Sequence, residues 1–251
     1  ILGITYEEAV KILTSSEHPD FKKVKDARQD AKPTNFGLPG GMGAESFVKL
    51  AKAQGREFTI DYGKKLKATW MNTWPEMAPL FEYAGSACQD GNAVLMFYRD
   101  GFVRGDTPYC AYLNTQFQHP AAMMAKKALW EATWEAIMEP TSDFYGSHVV
   151  AFVHDELLAE VPQEHAHEAS YRLAQIMMDA GKIWTPDVPS EVEPALMDHW
   201  YKDAATVLVK DRLVPWYPKG YKPKEKDLIA DVCPEVLAEE NAVGDSVLEC
   251  E

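Results

Sequence analysis

Several features that identify common protein classes are missing from this sequence. It has no run of about 18 consecutive apolar residues, so neither a transmembrane helix nor a membrane partner is predicted. The N-terminus lacks the basic segment and apolar core of a signal peptide. The four cysteines form no Cys-x-x-Cys pair, which argues against a zinc site or a disulfide framework and favours a reducing compartment.

Positive charge is also scarce. The chain has 25 Lys and Arg residues against 39 Asp and Glu, a net charge of −14. A protein that binds duplex DNA normally carries a basic surface, so composition alone argues against DNA binding. Much of the acidity is local, however, because the segment from Asp227 to the C-terminus holds eight acidic residues and no Lys or Arg. That segment is typical of a disordered or interacting tail.

The most informative segment runs from Val149 to Val161. Two apolar runs flank His154, Asp155 and Glu156, a pattern that predicts a strand, a tight turn and a second strand. A carboxylate at the tip of a rigid hairpin is accessible and well held, as a ligand of a hard cation such as Mg²⁺ should be. Acidic residues are also ordinary turn formers, and on this hairpin alone that interpretation is favoured.

A second informative segment lies upstream. Arg28, Lys32 and Phe36 recur every four residues, which on a helix places them within an arc of roughly 80°. Two cations and an aromatic ring on one face can bind a nucleoside triphosphate, with the cations on the phosphates. The alternative is a solvated basic stripe on an amphipathic helix, which is common.

Both segments resemble motifs of the family A DNA polymerases, the class of bacterial DNA polymerase I and its phage relatives. The pattern Arg-x3-Lys-x3-Phe-Gly resembles motif B, and His154-Asp155-Glu156 resembles motif C. Other segments match the family in the same order, namely Trp74-Pro75, Asn114 to Ala122, and Val188 to Trp200. The resemblance covers residues 1 to about 203 and suggests a phage-type member.

The resemblance implies a fold and a domain division. The fold class is α+β, the right-hand polymerase fold, with helical fingers and part of an antiparallel-sheet palm. Residues 1–105 would form the fingers and residues 106–204 the palm with the motif C hairpin. Residues 205–251 would form a C-terminal extension with an acidic tail. The implied location is the cytoplasm of a bacterial or phage-infected cell.

The resemblance also implies the reaction, template-directed transfer of a nucleotide from a dNTP to a primer 3′-hydroxyl with two Mg²⁺ ions. Asp155 would bind metal, with Glu156 beside it. Lys32, as a catalytic residue, and Arg28 would clamp the triphosphate and offset charge on the leaving pyrophosphate. Phe36 would lie against the sugar and base.

A further set of residues is implied to contact primer–template DNA. These residues are Gly40, Asn114, Gln118 and His154. Asn114 and Gln118 would touch the minor groove, where the acceptors of all base pairs are similar. Gly40 stands where most family members carry a Tyr beside the templating base, which puts template stacking in question.

Motif A, which carries the second metal-binding aspartate of the family, is not recognisable. Only 27 residues precede Arg28. We therefore expect a complementary N-terminal fragment with motif A and the thumb to be a partner. A non-catalytic polymerase descendant that binds DNA or a partner is the alternative. A single-subunit RNA polymerase fragment ranks lower, because that family has Tyr at the position of Phe36 and Ser at that of Glu156.

Local patterns predict the remaining elements. Thr5 to Glu8 forms a capping box before a short helix. Pro33 predicts that the motif B helix begins or bends there. Further helices are predicted at about 44–54, 59–73, 76–87, 121–138 and 163–180, and a strand at 93–98. In the helix over 121–138 we expect the following residues to pack in the palm core: Met124, Ala128, Trp130, Trp134 and Ile137.

Overall fold

The structure is a computed structural model that describes residues 2–218 and 220–221. The helices are α1 (Tyr6–Thr14), α2 (Phe21–Gly37), α3 (Ala44–Ala53), α4 (Ile60–Thr73), α5 (Met77–Ala87), α6 (Tyr109–Met138) and α7 (Ala166–Trp184). The strands are β1 (Ala93–Phe97), β2 (Phe102–Thr107), β3 (His148–Val153), β4 (Glu156–Glu160), β5 (Leu208–Val209) and β6 (Arg212–Leu213). They pair as antiparallel hairpins β1–β2, β3–β4 and β5–β6. The expected α+β class is confirmed.

The chain divides into two compact units, Ile1–His119 and Pro120–Glu251. The division lies within α6, and the functional boundaries at 105/106 and 204/205 stay predictions. Among the described residues, no helix is both long enough and apolar enough to cross a membrane. The acidic part of the C-terminal extension lies outside the described residues.

The first unit is built mainly of helices around an aromatic core. Leu38, Phe47, Leu66 and Trp70 are buried together, and Trp70 Nε1 donates to Asn35 Oδ1 at 3.3 Å. A second cluster joins α5, β1 and α6, through Ala84, Ala93, Leu95, Tyr112 and Leu113. Helix α1 begins with the expected capping box, because Thr5 and Glu8 satisfy each other's backbone N–H groups.

Two helices continue through a proline. Helix α2 continues through Pro33 to Gly37, and the Pro33 ring is fully buried. Helix α6 begins at Tyr109, earlier than the predicted 121, and continues through Pro120. A proline removes one backbone hydrogen bond from a helix, and burial of its ring offsets part of that cost at Pro33.

The second unit packs α6, α7 and the β3–β4 hairpin around small side chains. Ala132, Ala136 and Ala169 are buried with Phe144 and Ile176. Ala128, Ala132 and Ala136 recur every four residues and so form the buried stripe of this part of α6.

The expectation that the large side chains of this helix fill the core was wrong for three of them. Trp130, Trp134 and Ile137 are 60%, 47% and 62% exposed, whereas Ala128 is buried and Met124 half-buried. Trp130 and Trp134 lie two residues away from the alanine stripe, about 200° around the helix. Alanine therefore makes the core contact here, and the two indole rings stack on each other outside it, with centroids 6.0 Å apart.

Candidate functional site

Helix α2 separates a buried face from an exposed one. Val24, Thr34 and Gly37 are buried, which fixes the helix against the first unit's core. Arg28, Lys32 and Phe36 are exposed on one face, as predicted from their spacing. Phe36 is 70% exposed, an unusual state for a Phe at a helix end, and it offers a ring face for stacking.

The cations of this face are not neutralised within the described residues. Neither Arg28 nor Lys32 forms an ion pair with a carboxylate there, although α2 itself carries Asp26 and Asp30. Both carboxylates pair instead with Arg56, in the connection between α3 and α4. The acidic residues of α2 are thus engaged elsewhere, and the two cations remain available for an anionic ligand.

The turn after α2 packs tightly against the start of α6. A Cβ atom built on Gly40 would lie 2.6–2.9 Å from the Asn114 side chain. Gly41 has φ +72°, and its Cβ would lie 2.6 Å from Leu113 and Tyr109. Gly41 therefore requires glycine, whereas a side chain at Gly40 would displace that of Asn114, and the structure brings Gly40 and Asn114 together. Asn114 and Gln118 are exposed one turn apart on α6.

The hairpin β1–β2 also meets this part of α6, through residues that the sequence did not single out. His119 Nε2 and Asp100 Oδ2 are 2.7 Å apart, and the His119 ring lies against Phe97 and Phe102. Burial raises the pKa of Asp100, but hydrogen bonds from the Phe102 N–H and from His119 outweigh it and hold the pKa below its usual value. The Asp100-Gly101 sequence is a local signal for the turn, whereas no local sequence pattern indicates that Asp100 pairs with His119.

In the second unit, the predicted hairpin is present. Val153 pairs with Glu156, which leaves His154 and Asp155 as a two-residue loop. His154 has φ +57°, a conformation that few non-glycine residues adopt and that costs backbone free energy. Asp155 and Glu156 are exposed at the tip, so their carboxylates face solvent. Carboxylate oxygens are suitable ligands for Mg²⁺.

The hairpin β3–β4 packs against α6 and α7. Val149 and Ala159 pack onto the core cluster around Phe144. The α6 residue Glu135 accepts hydrogen bonds from Arg172 Nε at 2.8 Å and from Ser142 Oγ at 2.6 Å. The bond from Arg172 is the main cause that lowers the pKa of Glu135, with burial opposing it. The two helices that pack against the hairpin are therefore joined by an ionised, partly buried pair.

The predicted site residues form two groups. Arg28, Lys32, Phe36, Gly40, Asn114 and Gln118 belong to the first unit, and His154, Asp155 and Glu156 to the second. Within residues 2–218 and 220–221, no three His, Cys, Asp or Glu side chains lie close enough to hold a metal ion together.

Comparison with known proteins agrees with these motifs. A family model for DNA polymerase family A matches residues 11–202. DNA polymerase I of Aquifex aeolicus (strain VF5) is 26% identical over 180 residues, which cover 71% of this chain and 31% of that protein. The thermostable DNA polymerase I of Thermus filiformis is 28% identical over 184 residues, 69% of this chain and 20% of that protein. The chain therefore spans about a third or less of the curated relatives it matches, and it belongs to DNA polymerase family A.

Proposed function

We propose that this chain carries out template-directed DNA synthesis as a DNA-directed DNA polymerase. The 3′-hydroxyl oxygen of a primer attacks the α-phosphorus of a dNTP, the bond to the β-phosphate breaks, and pyrophosphate leaves. The observation that carries the proposal is the exposed face of α2, where two cations without an ion pair among the described residues are followed one turn later by an exposed phenyl ring. Family membership supports the same reaction.

Each residue of the α2 face has a part in this proposal. Arg28 and Lys32 bind the triphosphate, and their charge stabilises the leaving pyrophosphate. Lys32 lies one turn nearer to Phe36, so it is assigned the reacting end of the triphosphate. Phe36 lies against the sugar and base of the incoming nucleotide.

The proposed metal residues are Asp155 and Glu156. Exposed carboxylates at a well-held turn fit Mg²⁺, and bound Mg²⁺ supplies charge stabilisation for the attacking and leaving oxygens. Asp155 is assigned as the direct ligand and Glu156 as its neighbour in the outer shell. His154 lies beside Asp155 in the loop and is assigned to the primer terminus.

The proposed metal site is completed by a carboxylate from a complementary N-terminal portion, with a motif A-like strand and the thumb. The absence of a three-ligand cluster among the described residues supports this requirement. Primer–template DNA is the other proposed partner, bound by Gly40, Asn114, Gln118 and His154. The close packing of Gly40 on Asn114 supports their assignment to one surface.

A reconstitution experiment tests the proposal. The chain is assayed for primer extension with dNTPs and Mg²⁺, alone and after mixing with a complementary portion that carries an Asp-Tyr-Ser-like strand. We expect extension only in the mixture. Extension by the chain alone would overturn the requirement for the second portion. A mixture that binds primer–template but never extends it would favour a non-catalytic descendant that keeps the DNA surface.

A further inference from the structure

A cation outside the polymerase motifs contacts α6 at Thr115, which lies between Asn114 and Gln118 in the sequence. Arg104, on β2, is exposed, and its Nη1 donates a hydrogen bond of 2.7 Å to Thr115 Oγ1. Thr115 is only 5% exposed, and its hydroxyl donates to the Ala111 carbonyl at 2.7 Å. The hydroxyl proton is thus used by the helix backbone, and the oxygen accepts from the guanidinium. A neutral group therefore holds one end of Arg104.

A second contact fixes the hairpin that carries Arg104. Thr115 and His119 are one turn apart on α6, and their partners, Arg104 and Asp100, are also four residues apart. The His119 ring lies 4.3 Å from the Phe97 ring and 4.1 Å from the Phe102 ring, measured between centroids. The hairpin is thus attached to α6 by both polar and aromatic contacts, which limits the positions that Arg104 can adopt.

The charge of Arg104 has no counterion in the described part of the chain. Arg56, Arg172 and Arg212 each pair with an Asp or Glu there, whereas Arg104 pairs with none. Most of its five N–H donors are therefore free for another ligand. A planar guanidinium held at one end and open at the other is suited to a phosphate oxygen.

The neighbours of Arg104 indicate which ligand would supply the phosphate. Thr115 is three residues before Gln118, and residues at this spacing are neighbours on a helix surface, so the anchored guanidinium adjoins the Gln118 side of the face assigned to primer–template DNA. We propose that Arg104 binds a backbone phosphate of the primer–template and that Thr115 positions it. This inference rests on the proposed function, because it requires DNA at Asn114 and Gln118. Such a contact sets the register of the duplex and is independent of base sequence.

Salt-dependent binding tests the assignment. Affinity of the chain with its complementary portion for a labelled primer–template is measured between about 50 and 200 mM salt, where each lost phosphate contact lowers the salt slope by about 0.9. We expect Arg104→Gln to weaken binding about tenfold at the low-salt end and to reduce the slope by that amount. Gln removes the charge but is shorter than Arg, so the effect of losing the Thr115 contact is measured separately with Thr115→Val. Arg104→Lys keeps the charge and should keep the slope.

Two further variants separate charge from positioning. Thr115→Val removes the anchor without changing charge, so affinity should fall about threefold with the slope unchanged, and Thr115→Ser should restore it. Arg212→Gln is the matched control, because Arg212 is exposed and already paired with Glu168. It should leave the slope at the wild-type value.

The two possible failures are distinguishable. If the wild-type protein binds primer–template and Arg104→Gln has the same affinity and slope, Arg104 does not contact phosphate and this inference alone is overturned. If the wild-type protein does not bind primer–template at any salt concentration, the proposed function is overturned, and the Arg104 assignment with it.

Discussion

The two units present their proposed functional groups by different means. In the first, Arg28, Lys32 and Phe36 extend from one face of a regular helix whose other face is buried. In the second, Asp155 stands in a two-residue loop next to a residue with φ +57°. The helix presents long side chains from an unstrained backbone, whereas the loop presents a short side chain from a strained one.

The difference follows from side-chain length. Lys and Arg reach a ligand through several rotatable bonds, so small shifts of the backbone are absorbed by the side chain. Asp has a single methylene, so its carboxylate can be aimed only by the backbone, and a tight turn holds that backbone firmly. We therefore expect the α2 face to tolerate conservative changes that the Asp155 turn does not.

The largest effect is expected at Asp155. Asp155→Ala should reduce primer extension on the order of 10³-fold, because charge stabilisation worth several kcal/mol is lost. Asp155→Glu should be nearly as inactive, since one added methylene displaces the carboxylate. Single-turnover extension and primer–template binding are measured together, and binding should stay unchanged. The exposed Asp187 provides the control Asp187→Ala. An Asp155→Glu variant with more than about a tenth of wild-type turnover would contradict the comparison.

A smaller loss is expected at Lys32, and its conservative variant should behave differently. Lys32→Ala removes a phosphate contact common to all dNTPs, so incorporation of all four should slow by a similar factor, about tenfold to a hundredfold. Lys32→Arg should retain most of the rate. Lys49→Ala, an exposed lysine on α3, is the control. Unequal effects on the four dNTPs would show that Lys32 contacts more than phosphate.

The Gly40 position tests the packing that supports the α2 face. The methyl group of Gly40→Ala would lie within 3 Å of the Asn114 amide, so that side chain must rotate. We expect primer–template affinity to fall severalfold, with a loss of stability of about 1–3 kcal/mol. Gly40→Ala with Asn114→Ala should recover the stability but not the affinity. Recovery of both in thermal melting and DNA binding would mean that Asn114 does not contact DNA.

Strain at the hairpin loop should appear as a difference in folding stability between variants of His154. His154→Val places a β-branched residue at φ +57° and should destabilise the protein by about 1–2 kcal/mol. His154→Gly should be within about 1 kcal/mol of wild type, because relief of strain and added chain entropy oppose each other. Denaturant unfolding measures both. Equal stability of the Val and wild-type proteins would rule out a strained loop in solution.

The smallest effect is expected in folding stability at acid pH, through the Glu135–Arg172 pair between α6 and α7. The pKa of Glu135 is lowered in the folded state by its hydrogen bond from Arg172, so its contribution to stability is present above its ordinary value of 4.5. That contribution is lost as the pH falls through the lowered pKa. Melting temperatures recorded from pH 7 to 3 should fall less steeply for Glu135→Gln than for wild type. Parallel curves would exclude a contribution of ionised Glu135 to folding stability.

Much of the site follows from local sequence. The four-residue spacing of Arg28, Lys32 and Phe36 placed them on one helix face, and the apolar runs around Asp155 placed it at a turn. Both predictions depend only on the backbone periods of helix and strand, and the structure agrees with both. Trp130, Trp134 and Ile137 were mispredicted because they were grouped with Ala128, although Trp130 and Trp134 lie about 200° around the helix from the Ala128 stripe. A stripe of alanines at the same spacing made the core contact instead.

By itself, the sequence determined most of the helices, the hairpin around Asp155 and which chemically active side chains share a helix face or a turn. These depend on interactions between near neighbours in the chain, which act the same way in any fold. Only the tertiary structure decided that Arg56 engages the carboxylates of α2, that Gly40 lies against Asn114, and that Arg104 and Asp100 meet α6. Those contacts join residues distant in sequence, and burial and close approach select them only once the chain has folded.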